Sequence, residues 1–575
     1  MSFAIPRNVP NFEAKTSRES EDSKWRAKSR DLPYYKDKPY RSVHGGRMPR
    51  RRKAIVIGLV FIAVFYLVYQ FGKSSKDGRL PSIPSLRGGP KTWGERQQAV
   101  KQAFERSWAG YRKYGWGLDE YHPLSKGGKN MGPKPLGWII VDSLDTMAIM
   151  GLKAQLNDAR DWVKNVLDYD MDYEVNTFET TIRMLGGLLS AYYLTKDQLY
   201  LNKAKDLGER LVGAFDSPSG IPYASVNLRT GRGKESHADM GASSTAEAAT
   251  VQLELKYLSM LTGDAKYWKL AEKVHAVIDS NHSPDGLVPI FIQPGTGKFQ
   301  GRLIRLGSRG DSYYEYLIKM YLQTGMEEDV YRQMYDEAVN GIKKNLVETS
   351  YPNQLTYIAE LENGVGGPTV PKMDHLVCFA GGMFALGATH GNLVETSRRE
   401  AWSTVQESDL QLGRELTRSC YEMYARTETG LAPEIAIFNR DPEKTEDFHI
   451  KLADAHNLQR PETVESLFVL WRVTKNPVYR EWGWKIFEAF EKYTRVEGDA
   501  GYTSLDNVRK IPPKRRDNME SFWLSETLKY LYLLFDDSDQ LPLTDVVFNT
   551  EAHPFPIFSM SKENFVTGWH REKSR

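Results

Sequence analysis

The sequence predicts an all-α-dominated protein, an α/α barrel of helical hairpins, preceded by a single transmembrane helix. One observation is an apolar segment at 54–72 that contains 19 residues and no charge. A second is the series of helix-length amphipathic segments after residue 92, with few alternating strand patterns. A third is a short turn motif that recurs between helical stretches, as in repeated helical hairpins.

Composition places the chain among globular proteins with a large core. Of its 575 residues, 41% are hydrophobic, 12% aromatic and 26% charged, which excludes a disordered or fibrous chain. Two cysteines exclude a disulfide-dense scaffold and any all-cysteine zinc or iron–sulfur site. The net charge of +3 is unevenly divided, because residues 1–53 carry 15 Lys/Arg and 6 Asp/Glu. The first 53 residues therefore carry a net charge of +9, and the remaining residues carry a net charge of −6.

The segment 54–72 would span roughly 28 Å as a helix, close to the thickness of a bilayer's hydrocarbon core. A buried core helix would not lie between a basic tail and the Gly/Pro/Ser-rich stretch 73–92. A cleaved signal peptide would have a much shorter basic leader than the 53 residues found here. We therefore interpret the segment as a retained anchor.

Flanking charges predict the topology of this anchor. Five basic residues lie within 47–53, whereas 73–79 contains three, and the more basic flank stays in the cytosol. The prediction is a single-pass type II protein with a cytosolic tail (1–53), an anchor (54–72), a lumenal stem (73–92) and a folded lumenal domain (93–575). A membrane tether and an acidic body argue against a nucleic-acid-binding role for the basic tail.

A lumenal location allows Cys378 and Cys420 to form a disulfide, the alternative being two buried free thiols. On the chain-entropy model such a bond would stabilise the fold by about 4 kcal/mol. The sequence also contains an N-glycosylation sequon at Asn281, which Pro284 weakens as an acceptor.

The recurring turn motif occurs as LTKDQLY (194–200), LTGDAKY (261–267) and VTKNPVY (473–479), with a degenerate copy at 323–331. Each copy lies between two helical stretches. The intervals between copies are too irregular for an open solenoid, so we expect the hairpins to close into a ring.

Four acidic residues precede the turn threonines at similar distances. Glu179, Glu247, Asp311 and Glu462 lie 16, 15, 13 and 12 residues before them, near the start of the first helix of each hairpin. A single such acid would be explained by the helix dipole, at about 0.3–1 kcal/mol. Four acids at equivalent positions of their hairpins instead predict a polar pocket at one end of the barrel axis, together with Arg183, Arg309 and Arg460.

The sequence around these acids is distinctive. The relevant strings are DSLDTM (142–147), NTFETTIRMLGGLLSAYYL (176–194), SSTAEAATVQLE (243–254), GSRGDSYYEYLIK (307–319), MDHLVCF (373–379), LAPE (431–434), LQRPETVESLF (458–468), MESFWLSETLKYLYLLF (519–535) and VFNTEAHP (547–554). Together they resemble the class I α-1,2-mannosidases of glycoside hydrolase family 47. The resemblance extends from Trp93 to Pro554, with the motifs in family order.

This resemblance implies an (αα)7 barrel and an inverting hydrolysis of terminal α-1,2-linked mannose from high-mannose N-glycans. Carried over to this chain, the catalytic residues are Glu179, Asp311 and Glu462, with Glu462 as general base and Glu179, or else Asp311, as general acid. Inversion needs room for a water opposite the departing oxygen, so we expect the base and acid carboxyls to lie about 6.5–9.5 Å apart. Crowded carboxylates should also have divergent pKa values.

A bound calcium ion is a second implication of the resemblance. Thr550 would bind the ion through its hydroxyl and main-chain carbonyl, and four acidic residues would hold the waters that complete its shell: Glu247, Glu465, Glu526 and Glu551. A hard cation that takes six to eight oxygen ligands suits such a site. Without the family, Thr550 would be interpreted as a helix or turn cap.

The resemblance also implies a set of substrate-binding residues: Arg183, Arg309, His375, Glu434, Arg460 and Phe522. From the residues alone, Phe522 is equally a core phenylalanine and His375 equally a buried imidazole. Arg309 occupies the position where endoplasmic-reticulum-type members carry Arg and Golgi-type members carry Leu. It predicts removal of one mannose from the middle branch, which converts a nine-mannose glycan to an eight-mannose glycan. We also expect a monomer in the membrane of the endoplasmic reticulum or early Golgi.

Two other functions remain as alternatives. One is a glycan-binding quality-control lectin of the same fold, which directs misfolded glycoproteins to degradation; such proteins lack the pair found here as Cys378 and Cys420. The other is an unrelated α/α-barrel glycosidase or lyase, which leaves the set of strings unexplained.

Overall fold

The computed structural model describes residues 92–560 together with residues 569 and 571, and helices dominate it. The α-helices are α1 (Trp93–Tyr114), α2 (Trp138–Asp142), α3 (Leu144–Ile149), α4 (Lys153–Asn165), α5 (Thr177–Glu179), α6 (Gly186–Thr195), α7 (Gln198–Leu211), α8 (Thr245–Ala248), α9 (Gln252–Thr262), α10 (Ala265–Asp279), α11 (Asp311–Gln323), α12 (Asp329–Asn345), α13 (Ala380–Thr389), α14 (Val394–Glu400), α15 (Thr404–Ala425), α16 (Glu462–Thr474), α17 (Val478–Tyr493) and α18 (Leu528–Leu534). Two π-helical segments, Thr180–Leu185 and Trp523–Thr527, precede α6 and α18. The predicted tail, anchor and stem lie outside the described residues, apart from Thr92, which caps α1.

The strands are short and form antiparallel sheets of two or three strands. They are β1 (Glu120–His122), β2 (Gly127–Lys129), β3 (Glu174–Asn176), β4 (Ser225–Asn227), β5 (Gly233–Lys234), β6 (Ser243–Ser244), β7 (Phe291–Ile292), β8 (Val347–Thr349), β9 (Thr356–Ile358), β10 (Glu360–Leu361), β11 (Thr369–Val370), β12 (Lys372–Asp374), β13 (Ile435–Phe438), β14 (Phe448–His449), β15 (Val546–Phe548) and β16 (Pro554–Pro556). Several of them directly precede helices that carry predicted site residues, as β3 precedes α5 and β6 precedes α8.

Helical hairpins build the described part of the chain. Its paired helices are α3 with α4, α6 with α7, α9 with α10, α11 with α12, α13 with α15, α16 with α17, and α18 with α1. The first helices of successive pairs contact one another in the order α3, α6, α9, α11, α13, α16 and α18. The π-helical segment before α18 contacts α3. The predicted helix-rich fold of hairpins is therefore confirmed.

The turn motif owes its form to local hydrogen bonds. At the end of α6, the Thr195 hydroxyl donates to the Ala191 carbonyl (2.6 Å) and accepts from the Asp197 N–H (3.2 Å). The Asp197 carboxylate then accepts from the Leu199 N–H (3.0 Å) and caps α7. The segment 195–197 thus ends α6 and begins α7, because the side chains of Thr195 and Asp197 satisfy backbone groups that helix ends leave unpaired.

The same hydroxyl contacts occur at Thr262 and Thr474, in the other two full copies of the motif. Thr389 forms them as well, at the end of α13. This copy was not predicted, because a longer connection that includes α14 separates α13 from its partner α15 and no capping Asp follows the threonine.

The C-terminal hairpin of β15 and β16 packs against α11 and α6. Its turn, residues 549–553, contacts several first helices of the pairs. Asn549 Nδ2 donates to the Ile182 carbonyl (3.0 Å), and Lys529 Nζ donates to the Ala552 carbonyl (2.7 Å). The turn that carries Thr550 is therefore surrounded by these helices.

Cys378 and Cys420 form a disulfide that joins the segment before α13 to α15, and both residues are fully buried. The predicted pair is confirmed over the alternative of two free thiols. Nearby in the chain, α13 and its flanks, 375–400, are apolar enough to cross a membrane, but most of this segment is buried in the protein, as in a core helix.

We expect the double substitution Cys378→Ala/Cys420→Ala to lower the free energy of unfolding by about 4 kcal/mol, because the bond closes a loop of 42 residues in the unfolded chain. Urea unfolding under non-oxidising and oxidising conditions would measure this. Reduced wild type serves as the control and should unfold like the variant. Equal stability of variant and oxidised wild type would contradict the estimate.

Candidate active site

Two of the predicted acids are placed by helix caps. The Asn176 side chain accepts from the Glu179 N–H (2.7 Å) and begins α5, while Ser244 accepts from the Glu247 N–H (3.3 Å) and begins α8. Asn176 Nδ2 also donates to Glu247 Oε2 (3.1 Å). One cap residue therefore joins two acids that lie on different hairpins.

The other two acids are the first residues of their helices. Asp311 begins α11, where its Oδ1 accepts from the Ser312 N–H (2.9 Å). Glu462 begins α16 directly after Pro461, and its side chain is buried. Carboxylates at these positions are favoured by the positive end of the helix dipole.

Arg183 connects Glu179 to the C-terminal turn. Its guanidinium donates to Glu179 Oε2 (2.8 Å), Glu551 Oε2 (2.8 Å) and Ser521 Oγ (3.2 Å), and it lies 3.5 Å from Asp142. The side chain is 3% exposed. Burial lowers the pKa of Arg183, but the surrounding carboxylates outweigh it and raise that pKa well above the ordinary value. A buried cation is stable here because it is fully paired.

His375 contacts the predicted base, Glu462. His375 Nδ1 lies 3.0 Å from Glu462 Oε2, and His375 Nε2 lies 3.0 Å from Thr463 Oγ1 and 3.1 Å from the Tyr424 hydroxyl. Because both ring nitrogens have partners, the imidazole is fixed in orientation. His375 is thus a buried, satisfied imidazole that also contacts the predicted base.

Arg460 lies beside the same acid. Its Nε donates to Glu434 Oε2 (2.5 Å), and its Nη1 lies 3.8 Å from Glu462 Oε1. Burial lowers the pKa of Arg460, and the carboxylates of Glu434 and Glu462 outweigh this and raise it. The predicted residues Glu434, Arg460 and Glu462 therefore form one cluster.

Phe522 lies between the two clusters. The Arg183 guanidinium carbon is 5.7 Å from the centroid of its ring, and that of Arg460 is 5.8 Å from it. Both distances are within the range of cation–π contact. The structure thus brings Glu179 and Glu462 together around one aromatic ring.

The two π-helical segments lie at this site. Thr180–Leu185 directly follows Glu179 and contains Arg183, and Trp523–Thr527 directly follows Phe522 and contains Glu526. A π segment shifts the side-chain register of the helix that continues from it and is frequent at functional sites. Helical periodicity in the sequence does not predict either segment.

Thr550 lies in the turn of the C-terminal hairpin. Its N–H donates to the Tyr316 hydroxyl (3.4 Å), which donates to Glu254 Oε1 (2.8 Å). Asn549 Nδ2 donates to the same Glu254 oxygen (2.7 Å). Glu254 was not predicted, although an acid in the apolar run VQLELK was a signal for it. Burial raises the pKa of Glu254 to about 7.

Glu465 belongs to a second buried acidic group. Lys319 Nζ donates to Glu315 Oε1 (2.5 Å) and to Glu465 Oε1 (3.3 Å). Burial raises the pKa of Glu465 to about 7, and the carboxylates of Glu315 and Glu462 contribute in the same direction. Burial is thus the main cause of this raised carboxyl pKa, and the neighbouring carboxylates add to it.

The string DSLDTM contributes two buried acids that the sequence analysis did not assign to the site. His553 Nδ1 lies 2.7 Å from Asp145 Oδ2, and His553 Nε2 lies 3.2 Å from Asp142 Oδ1. Lys529 Nζ donates to the same Asp145 oxygen (2.9 Å). These ion pairs fasten the C-terminal hairpin, and with it Thr550 and Glu551, to α2, α3 and α18.

Arg309, another predicted residue, pairs with an acid of a neighbouring loop. Its Nη1 donates to Asp239 Oδ2 (3.0 Å), and its guanidinium carbon lies 5.0 Å from the centroid of the Phe291 ring. Both Arg309 and Asp239 are 17% exposed. Arg309 thus stands at the edge of the site, two residues before Asp311.

The sequence matches the profile of Glycosyl hydrolase family 47 over residues 103–557. The chain belongs to glycosyl hydrolase family 47. This match begins within α1 and extends to the hairpin that carries Thr550.

Relatives in this family are similar over most of the chain. The chain is 57% identical to a mannosyl-oligosaccharide 1,2-alpha-mannosidase of Candida albicans, over 90% of this chain and 92% of the relative. It is 46% identical to an endoplasmic reticulum mannosyl-oligosaccharide 1,2-alpha-mannosidase of Saccharomyces cerevisiae, over 83% and 93%. The solved alpha-1,2-mannosidase from Trichoderma reesei superposes with a TM-score of 0.72 at 29% identity, over 82% of this chain and 100% of that chain.

Members of family 47 are generally calcium-dependent. Among residues 92–560, no group of three or more His, Cys, Asp or Glu side chains is placed to hold a metal ion directly. The predicted arrangement instead uses oxygens of Thr550 and waters. The buried Glu254 Oε2 has no hydrogen-bond partner, although the other oxygen of this carboxylate contacts the residues around Thr550. These oxygen donors fit a hard cation.

Proposed function

We propose that this protein is an inverting glycosidase that hydrolyses terminal α-1,2-linked mannose from high-mannose N-glycans. The supporting observation is the pair of buried acids, Glu179 and Glu462, held by Arg183 and Arg460 around the ring of Phe522. Family membership and the mannosidases among its relatives support the substrate class. The lectin alternative is not favoured, because the chain has the disulfide that such lectins lack.

We further propose that the seven helix pairs form an (αα)7 barrel, with α1 and α18 as the closing pair. The acids lie where the first helices of the pairs begin, so the substrate would enter at that end. Residues 93–575 would then be a lumenal catalytic domain, joined by the stem (73–92) to the anchor (54–72). The names of several relatives support the endoplasmic reticulum as its location.

In the proposed mechanism, Glu462 is the general base. It removes a proton from a water, whose oxygen attacks the anomeric carbon from the face opposite the departing oxygen. His375 fixes the orientation of the Glu462 carboxylate, since the ring has partners at both nitrogens. The glycosidic bond breaks as the new carbon–oxygen bond forms, which inverts the anomeric configuration.

The departing oxygen must gain a proton. Arg183 donates to Glu179 and stabilises its ionised form. We propose that Glu179 starts the reaction protonated and passes its proton through a bound water to the departing oxygen, after which Arg183 pairs with the carboxylate that is left. Asp311 is the second candidate for this role. Phe522 would pack beneath the sugar ring, between the two charged clusters.

Calcium would be bound by Thr550 through its hydroxyl and main-chain carbonyl, with waters held by Glu247, Glu465, Glu526 and Glu551. When bound, the ion would orient sugar hydroxyls at the closed end of the barrel. Glu254 would belong to the same environment, because its carboxylate contacts Asn549 and Tyr316 beside Thr550.

A nine-mannose glycan provides the direct test of the function. We expect the purified full-length chain in detergent to release mannose and to form one eight-mannose isomer, with the released sugar first in the β configuration by NMR. Retention of the α configuration would contradict the assigned mechanism. Binding without release of mannose would instead support the lectin.

Arg309 is expected to restrict which branch is trimmed, because a guanidinium can form several hydrogen bonds with sugar hydroxyls. We expect Arg309→Leu to broaden trimming and to raise the rate for the other branches about tenfold relative to the preferred one, the effect of losing one charged hydrogen bond. The isomer composition of the products, separated by chromatography, would measure this. The idea is wrong if wild type and variant yield the same isomers.

A further inference from the structure

The guanidinium of Arg309 is held on two sides, by a residue of the loop before β6 and by a residue of β7. Asp239 accepts from Nη1 at 3.0 Å, and the ring of Phe291 lies against the guanidinium carbon at 5.0 Å. A carboxylate fixes the guanidinium in its own plane, and an aromatic face fixes it perpendicular to that plane. Together they define the orientation of a long side chain that would otherwise sample many rotamers.

The backbone of Arg309 is also fixed. Its φ is 72°, in the left-handed region that non-glycine residues rarely adopt. Its carbonyl accepts from the Ala246 N–H at 2.9 Å, which ties it to the start of α8. The turn therefore projects Arg309 from a constrained position two residues before Asp311.

Asp239 is itself held in place by its loop. Ser236 Oγ donates to Asp239 Oδ2 (2.9 Å), and the Ala242 N–H donates to its carbonyl (3.1 Å). Gln300 Nε2 donates to the same carbonyl (3.3 Å). The hairpin 291–300 thus supplies both Phe291 and a contact to the loop that presents Asp239.

We propose that Asp239 is the positioning residue for Arg309 and thereby a determinant of branch selectivity; this rests on the proposed function. Asp239 does not contact Glu179, Asp311 or Glu462 through any hydrogen bond or ion pair described for the chain. Substitution of Asp239 should therefore change the selectivity between glycan branches and leave the hydrolysis of a minimal α-1,2-linked disaccharide unchanged. The residue would act through Arg309, with no contact to the reacting atoms.

The experiment uses the full-length chain in detergent and four variants: Asp239→Ala, Asp239→Asn, Arg309→Leu and the double variant Asp239→Ala/Arg309→Leu. Nine-mannose glycan gives the isomer ratio of the products, and α-1,2-mannobiose gives kcat and KM of the basic reaction. We expect Asp239→Ala to raise the share of minor isomers about fivefold, the effect of a coupling of about 1 kcal/mol, with Asp239→Asn in between. The double variant should give the same isomer ratio as Arg309→Leu, and mannobiose hydrolysis by Asp239→Ala and Asp239→Asn should match the wild type.

Asp170→Asn is the matched control, because Asp170 also pairs with an arginine, Arg229, in a loop (3.1 Å). It should retain the wild-type isomer ratio. Any of three results would overturn the proposal: a single isomer from Asp239→Ala, additive effects of the two substitutions in the double variant, or an unchanged isomer ratio in Arg309→Leu. If Asp239→Ala is misfolded by thermal melting, a wild-type ratio from folded Asp239→Asn would overturn it. Failure of the wild type to hydrolyse mannobiose and the glycan would instead contradict the proposed function.

Discussion

Glu462→Gln is expected to lower kcat for mannose release by about 10²–10⁴-fold, the usual contribution of a general base. The amide keeps the size of the carboxylate and can still accept from His375, so the pocket should remain formed. Its oxygen cannot take a proton from water. The substrate should therefore still bind, with KM changed much less than kcat. Steady-state kinetics with nine-mannose glycan would measure both parameters.

The matched control for this substitution is Glu422→Gln, which replaces another helical glutamate that pairs with an arginine, Arg426 (2.7 Å). We expect this variant to keep wild-type kcat. Similar melting temperatures for wild type and both variants would exclude unfolding as the cause. If Glu462→Gln kept more than a tenth of the wild-type kcat, another residue would have to be the base.

The sequence predicted those parts of the site that depend on local chemistry or on register. The Thr-x-Asp turns could be predicted because Thr195 and Asp197 satisfy backbone groups within a few residues. The convergence of Glu179 and Glu462 could be predicted because acids at equivalent positions of successive hairpins lie at the same end of the bundle. The family resemblance was needed for Thr550, whose environment no local pattern describes.

Contacts between distant parts of the chain could not be predicted. Glu254 meets Asn549 across 295 residues, and only because the C-terminal hairpin lies among the first helices of the pairs. The pairing of Asp239 with Arg309 likewise depends on two loops that meet at one edge of the site. The π-helical segments depend on how the helices pack, which periodicity alone does not encode.

Calcium should stabilise the wild type, and Thr550→Val should remove most of this effect. Valine keeps the branched shape of threonine and the main-chain carbonyl but lacks the hydroxyl that we assign to the ion. A ligand at 100 times its Kd stabilises the native state by about 2.7 kcal/mol. The melting temperature of the wild type should therefore rise with calcium and fall with a chelator, whereas that of Thr550→Val should respond little. Mannose release should be lost in the chelated wild type and in the variant.

Thr544→Val is the control for this experiment, because Thr544 lies in the same C-terminal region with its hydroxyl near Asp545 (3.1 Å) and its side chain exposed. It should show the full response to calcium. The pH provides a second test, since without a cation the buried carboxylates of Glu254, which lies beside Thr550, and of Glu465, which we assign to the ion's waters, take up protons near pH 7. Burial raises both pKa values, so the charged forms that attract a cation are favoured only as the pH rises above 7. Calcium stabilisation in the wild type should accordingly be larger at pH 8 than at pH 6, and an equal or opposite response would count against a calcium site beside these two acids.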